Sequence, residues 1–293
     1  MNINFYCVGA QKAGTTTLHD ILNQHPDVFL PKTKEAHFFD NDEKFEKGLE
    51  WYENTFFNES SNEKILGSCN PEYMYFEEVP KRIFETLGKD VKLIFLLRNP
   101  VNRAYSHYLM SKRRCIEELS FTAALKQEKN RINKDYFNKT HFSYASRGFY
   151  SEQIKRYLKY FPKENMMFIR FEDDFIKNRA KTIKEVISFL DLEQIELDID
   201  LKSNVARSSR FKLIQKFIYK QNIIKSLFSI FVSQKMKNKV RSSIYKLVMR
   251  PEKKKELSFE LKNSLMQLYK EDIKELEGLT GKIFSNWLKT TNY

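Results

Sequence analysis

The chain reads as an α/β protein: a single three-layer domain in which helices flank a central parallel sheet, with a helical C-terminal part. Three observations point there. Short apolar runs alternate with segments of helical spacing from Asn4 onward, the pattern of strand–helix crossovers. A glycine-bearing loop, Gly9 to Gly14, joins the first apolar run to the first helical segment. The 293 residues suffice to bury one large core. No internal repeat, Pro/Gly-rich linker or low-complexity tract interrupts the pattern, so one domain over 1–293 is expected.

The elements follow in order. Residues 4–8 form the first strand and 15–23 the first helix. Val28-Phe29-Leu30 is a short strand that runs into a loop over 31–40. A helix over 78–87 precedes a strand over 91–97. The Asn99-Pro100 turn then opens a helix over 101–113, and another covers 119–131. Ile154, Tyr157, Leu158 and Phe161 share a helical face, which Pro162 ends. Residues 166–171 make a strand and 182–190 a helix. Beyond Leu201 the chain reads as wholly helical. Ile214, Phe217, Ile218, Ile224, Phe228 and Phe231 form one stripe, and a second runs over 257–276 until Gly278 and Gly281 break it. Trp287 and Leu288 anchor the C-terminus.

The net charge of +13 is unevenly placed. Residues 201–256 hold 16 Lys and Arg against 2 Asp and Glu, a net of +14, and the rest of the chain nets −1. Such a segment suits a polyanion, an anionic membrane surface or an anionic cofactor, or is a solvated lysine-rich face. No run of about 18 apolar residues predicts a membrane span. No basic-then-apolar leader precedes the first strand, so a cleaved signal peptide is not expected. Cys7, Cys69 and Cys115 are few, odd in number and far apart, which fits a reducing compartment better than a disulfide framework. The five histidines show no metal-ligand spacing, so no metal is expected.

Cys7-Val8-Gly9-Ala10-Gln11-Lys12-Ala13-Gly14-Thr15-Thr16-Thr17 carries the chemistry. A tight strand-to-helix loop aims its backbone N–H groups and a helix N-terminus at one anion. Lys12 adds charge, and the threonine hydroxyls donate hydrogen bonds. The fold is therefore expected to be P-loop-like. A triphosphate loop, however, places its lysine after the last glycine and needs a strand-end carboxylate for Mg²⁺. Here Lys12 precedes Gly14, and the 91–97 strand ends in Arg98-Asn99-Pro100. An arginine there repels a metal and attracts a second phosphate.

Lys12-Ala13-Gly14-Thr15-Thr16 resembles the 5′-phosphosulfate loop of sulfotransferases that use 3′-phosphoadenosine 5′-phosphosulfate (PAPS). Arg98-Asn99-Pro100-Val101-Asn102-Arg103-Ala104-Tyr105-Ser106 resembles their 3′-phosphate motif. Both motifs, in this order, are similar to those of bacterial and Golgi-type carbohydrate sulfotransferases, the heparan sulfate branch included. The resemblance spans nearly the whole chain and is weakest over 215–255. It implies PAPS as donor, 3′,5′-adenosine bisphosphate (PAP) as product and a sugar or other hydroxyl, or an amine, as acceptor. It also implies a nucleotide site of Lys12, Ala13, Gly14, Thr15, Thr16, Thr17, Arg98 and Ser106. Arg103 is either a helper there or a helix-surface residue. Ser203 to Arg210 resembles the loop that closes over the nucleotide, through Arg207 or Arg210. Golgi-type relatives carry a C-terminal disulfide, and this chain has no cysteine after Cys115, so a cytoplasmic enzyme is expected.

The loop over 31–40 contains Glu35-Ala36-His37-Phe38-Phe39-Asp40. By residue type, Glu35 or His37 is a candidate general base. In the plainer reading Glu35 pairs with Lys34 or Lys32, and His37 is a satisfied core histidine. The Glu-x-His-Phe-Phe-Asp spacing resembles the catalytic segment of the heparan sulfate branch. That resemblance implies Glu35 as base, Lys12 at the leaving oxygen, and His37 and Asp40 orienting the acceptor. Asn70-Pro71-Glu72-Tyr73 resembles a loop lining the acceptor cleft, which makes Pro71 and Tyr73 substrate-binding candidates. Arg147 to Gln153 resembles a helix start near the nucleotide, where Tyr150 meets a phosphate, the acceptor or the core. Two other readings stand against this one: a P-loop kinase of a small molecule, and a catalytically silent polyanion- or membrane-binding protein of the same fold. The second uses the basic C-terminal helices against an anionic surface. No nucleic-acid-binding module is recognised.

Overall fold

The computed structural model describes residues 1–201, 207–209, 249–251 and 257–288. The chain divides into two compact units. One consists of Met1–Ala104, Ala145–Ser203 and Phe259–Tyr293, the other of Tyr105–Tyr144 and Asn204–Ser258.

The first unit holds five parallel strands: β1 (Ile3–Gly9), β2 (Val28–Phe29), β3 (Ile65–Cys69), β4 (Lys92–Leu97) and β5 (Met166–Arg170). Their order is β2-β3-β1-β4-β5, so β1 lies at the centre with both motif-bearing loops at carboxyl ends of strands. β1 and β4 are buried almost throughout, as a sheet covered on both faces requires. Helices flank it. α1 (Thr15–Leu22) packs on β3, and α9 (Arg179–Phe189) packs on β5. α8 (Tyr150–Leu158) packs on α4 (Val79–Leu87) and on the late helix α11 (Lys270–Thr280). Two shorter helices, α2 (Asp42–Phe45) and α3 (Gly48–Phe56), follow the second loop. α5 (Pro100–Arg113) begins in this unit. Asn99 caps it, its Oδ1 accepting from Val101 N and Asn102 N, both at 3.1 Å.

β3 is the strand that sequence pattern does not announce. Its Gly67 sits where a Cβ would lie 2.0 Å from the Phe5 carbonyl oxygen. The β1–β3 register shifts between Ile3 and Phe5 at that point. Glycine marks the close approach and weakens the apolar alternation that would have betrayed a strand.

The second unit contains most of α5, with α6 (Phe121–Ile132) and α7 (Tyr136–Phe142). Glu117, 3% exposed, is its polar centre. It accepts from Arg131 at 2.7 Å and from Tyr144 Oη at 2.9 Å.

Three expectations for the C-terminal part change. The segment beyond Leu201 is not wholly helical: β6 (Arg207–Ser209) and β7 (Met249–Pro251) pair antiparallel. The stripe over 257–276 is two helices, α10 (Phe259–Leu268) and α11, with Tyr269 between them. Tyr269 is fully buried, and its hydroxyl donates to the Ala145 carbonyl at 2.9 Å, so packing fixes the joint. Gly278 lies inside α11, and Gly281 at φ +71° caps it in the left-handed region. Trp287 is buried against Phe284, as expected of an anchor. The stripe over 211–231, and with it most of the basic segment, lies outside the described residues. Among the described residues no helix is long and apolar enough to cross a membrane.

Candidate active site

The loop after β1 is shaped by its backbone. Ala10 N donates to the Leu96 carbonyl of β4 at 2.7 Å, and Ala13 N turns back to the Ala10 carbonyl at 3.1 Å. Lys12 at φ +71° and Gly14 at φ +93° both take left-handed conformations. α1 starts immediately after, with no side-chain cap and no acid in its first turn. Its uncapped N–H groups leave a positive helix end facing the loop. Gly14 is required twice over. Its φ disfavours any side chain, and a Cβ would stand 2.9 Å from Phe171 and 3.1 Å from Phe175. Thr15 is buried, while Lys12, Thr16 and Thr17 are half-buried.

Arg98 is tied to the same loop. Its Nη1 donates to the Lys12 carbonyl at 2.7 Å, and its guanidinium lies 5.0 Å over the Phe171 ring. Glu172, at 3.9 Å, faces its Nε. Burial pulls the Arg98 pKa down, and the Glu172 charge offsets part of that. Burial also raises Glu172 above the usual carboxylate range, against the pull of Arg98. Tyr150 is fully buried, and its hydroxyl donates to the Arg98 carbonyl at 2.8 Å.

The second loop, 31–40, is built from side chains. Lys34 Nζ lies 2.9 Å from Glu35 Oε1 and donates to Thr15 Oγ1 at 3.1 Å. Glu35 Oε2 is 3.9 Å from His37 Nε2, and His37 Nδ1 is 2.9 Å from Asp40 Oδ2. The Asp40 side chain is fully enclosed. Burial works to lower the His37 pKa. The Asp40 hydrogen bond and charge, with the charges of Glu72 and Glu35, outweigh it and hold His37 above its ordinary value. Two supports fix the turn, in which His37 itself sits at φ +54°. Lys44 Nζ donates to the Ala36 carbonyl at 2.6 Å, and the Tyr73 hydroxyl accepts from Phe38 N and Phe39 N at 3.3 and 3.4 Å. Phe38 stacks on Tyr52 at 4.3 Å beneath.

A third network runs behind both loops. Gln11 Nε2 donates to Glu72 Oε1 at 2.8 Å, and Arg147 Nη2 pairs with Glu72 Oε2. Glu72 and Arg147 side chains are each 3% exposed. Arg147 also lies 4.4 Å over the Tyr75 ring. Burial raises Glu72, and Arg147 pulls it back. Asp272 fixes the start of α8, accepting from Tyr150 N at 2.9 Å and Ser151 N at 3.0 Å.

The structure thus brings Lys12, Ala13, Gly14, Thr15, Arg98, Lys34, Glu35, His37 and Asp40 into one connected set of contacts. Lys34 pairs with Glu35, whereas Lys32 turns away to Glu59 at 2.5 Å. Ser106 is half-buried on α5, in the second unit. The backbone of Arg207 lies in β6, and Arg210 is outside the described residues. Pro71 is buried, and Tyr73 and Tyr150 are fully buried with their hydroxyls spent on backbone groups. Of the places open to Tyr150, the structure gives the core. Tyr73 stands beneath the second loop and Asp40 behind His37, positions that support other residues. Arg103 is no helix-surface residue: it is fully buried. From the sequence, Gln11, Glu72 and Arg147 were given no role of their own, and Lys34 only that of a pairing partner for Glu35. The signal for Lys34 was its place beside Glu35, but Glu72 and Arg147 are 75 residues apart and meet only in the fold. Among the described residues, no group of three or more His, Cys, Asp or Glu is placed to hold a metal ion.

Residues 4–277 match the family described as the sulfotransferase domain. Heparan sulfate glucosamine 3-O-sulfotransferase 5 of Mus musculus is 31% identical over 223 residues, which cover 71% of this chain and 59% of that protein. Heparan sulfate glucosamine 3-O-sulfotransferase 3B1 of Homo sapiens is 34% identical over 196 residues, 65% of this chain and 46% of that one. The chain thus spans about half to three-fifths of the length of these curated relatives. Among solved structures, a sulfotransferase from Alicyclobacillus acidocaldarius aligns with a TM-score of 0.70 at 25% identity, over 99% of this chain and 100% of that one. Sheet order, phosphate-type loop and sequence match agree: the chain belongs to the sulfotransferase domain family.

Proposed function

We propose that the protein transfers a sulfuryl group from PAPS to a hydroxyl, or an amine, of a carbohydrate acceptor, with Glu35 as general base. The observation that carries this reading is the Lys34 bridge, which joins Glu35 to Thr15 of the phosphate-type loop. A base and an anion cradle are thereby held within one side chain of each other. The residues fit the donor. Gly14 opens a cradle that a Cβ would fill, the first turn of α1 is uncapped, and Arg98 adds a guanidinium suited to phosphate. The donor supplies an activated sulfuryl group on its 5′-phosphate.

The chain's residues then divide the work. Lys12 neutralises charge that builds on the leaving phosphate. Thr15, Thr16, Thr17 and the backbone N–H groups hold the 5′-phosphate, while Arg98 holds the 3′-phosphate. Glu35 takes the acceptor proton. The Asp40 hydrogen bond and charge raise the His37 pKa above its ordinary value, and the same bond fixes the ring, which suits it to orient the acceptor. The 3-O-sulfotransferases act on heparan sulfate by name, which supports a glycan acceptor here.

Calorimetric titration with PAP in EDTA, beside ATP with Mg²⁺, tests the donor site. Metal-free PAP binding that disappears in Arg98→Ala is expected. Binding of Mg·ATP alone would replace this reading with a kinase, and binding of neither with a silent protein. Glu35→Gln is expected to cut turnover by about 10²–10⁴-fold while PAP affinity holds. A large loss of PAP affinity in that variant would remove Glu35 from the role of base.

A further inference from the structure

We infer that Lys34 is a second catalytic cation, one that contacts the transferring sulfuryl group itself. This rests on the donor proposed above. Lys34 lies next to the base in sequence, but its ammonium is not a surface counter-ion. Its side chain is 14% exposed, against 40% for Glu35 and 84% for Lys32. Enclosing an ammonium costs free energy that one neutral hydroxyl and one half-exposed carboxylate return poorly. Among the described residues its partners are Glu35 Oε1 at 2.9 Å and Thr15 Oγ1 at 3.1 Å. An ammonium has three donors, so one remains for an anion.

The position decides which anion. Thr15 opens α1, where a 5′-phosphate would rest against the helix end. Glu35 stands where the acceptor hydroxyl would lose its proton. A cation hydrogen-bonded to both lies between leaving and attacking oxygens, beside the group that moves from one to the other. In the transfer, the bond from sulfur to the bridging oxygen breaks and its electron pair stays on the phosphate of PAP. A new bond forms from the acceptor oxygen to sulfur, and the acceptor proton passes to Glu35. Lys12 serves the leaving oxygen, and Lys34 serves the sulfuryl oxygens between. Lys34 also faces the charge of Glu35, which stands 3.9 Å from His37, itself paired with Asp40.

The distinguishing property is that PAP lacks the sulfuryl group. Affinities of PAP and PAPS, each without acceptor, are measured by calorimetry for wild type, Lys34→Met, Lys34→Gln and Lys34→Arg, with thermal unfolding as the check on folding. In the Met and Gln variants, PAP affinity should stay within about twofold. PAPS affinity should fall about tenfold or more, as loss of a charge-assisted hydrogen bond predicts. Turnover should fall about 10²–10³-fold, with Lys34→Arg recovering part of both. Equal losses for PAP and PAPS would assign Lys34 to the phosphate or to the fold, and unchanged PAPS binding and turnover would remove it from the site; either overturns the inference. If wild type binds neither nucleotide, the donor assignment itself fails and this inference with it. If wild type binds both and the variants bind both alike, Lys34 alone is wrong.

Discussion

The two loops that meet at Thr15 are made in opposite ways. The loop over 10–14 is a backbone device. Its shape comes from Lys12 and Gly14 at positive φ and from main-chain bonds to Leu96 and Ala10. The loop over 31–40 is a side-chain device. Lys34, Lys44, Asp40 and Tyr73 hold it by their functional groups, over the stacked rings of Phe38 and Tyr52. An anion is bound by many weak, fixed dipoles, which a backbone supplies at little entropic cost. A proton acceptor must be one group in one place, which takes a side chain and neighbours to aim it.

Breaking each loop at its functional group should give the largest effects. Lys12→Ala is expected to lower turnover by about 10²–10³-fold, read in a transfer assay with labelled PAPS, while melting temperature stays near wild type. Gly14→Ala should break the first loop by geometry instead. The left-handed φ and the 2.9 Å approach to Phe171 predict a loss of about 2–4 kcal/mol in denaturant unfolding, together with PAP binding. A Gly14→Ala protein of unchanged stability would show that the backbone account of this loop is mistaken.

Asp40→Asn sharpens the contrast from the other side, since it keeps shape and removes charge. His37 is raised above 6.5 in the folded protein. The stabilisation from its pairing with Asp40 is therefore fully present below pH about 6.5 and is lost as pH rises through the folded value. In Asp40→Asn, burial acts without the opposing carboxylate. The His37 titration followed by NMR should then fall below its wild-type value, and turnover near neutrality should fall with it. The smallest effect is reserved for Tyr73→Phe. Its hydroxyl accepts two long bonds from Phe38 N and Phe39 N. Removing it should cost about 1 kcal/mol, with PAP affinity unchanged.

Much of the first loop was legible because its parts are contiguous. Nine residues carry a strand end, a lysine, a glycine and threonines in a fixed order, and local sterics do the rest. Glu35, His37 and Asp40 were likewise within six residues of one another. What the sequence hid depends on long-range contact. β3 escaped notice because Gly67 answers to the Phe5 carbonyl on β1 and not to its own neighbours. The buried Glu72–Arg147 pair and the Gln11 bond to it join three segments that no spacing relates. Tyr73 read as a cleft residue, and Tyr150 as one that meets a phosphate, the acceptor or the core; their burial is decided by the layers above and below them.

By itself, then, the sequence determined the α/β alternation, the anion loop, the arginine at the end of β4 and the acid–histidine–acid segment. Each of these is written in local order and local sterics. Only the tertiary structure decided which lysine joins Glu35 to Thr15, that an enclosed Asp40 raises the His37 pKa, and that α8 begins on Asp272 more than a hundred residues away. The physical reason is burial. Charges, hydroxyls and rings acquire their roles from what excludes water around them, and that is supplied by distant parts of the chain.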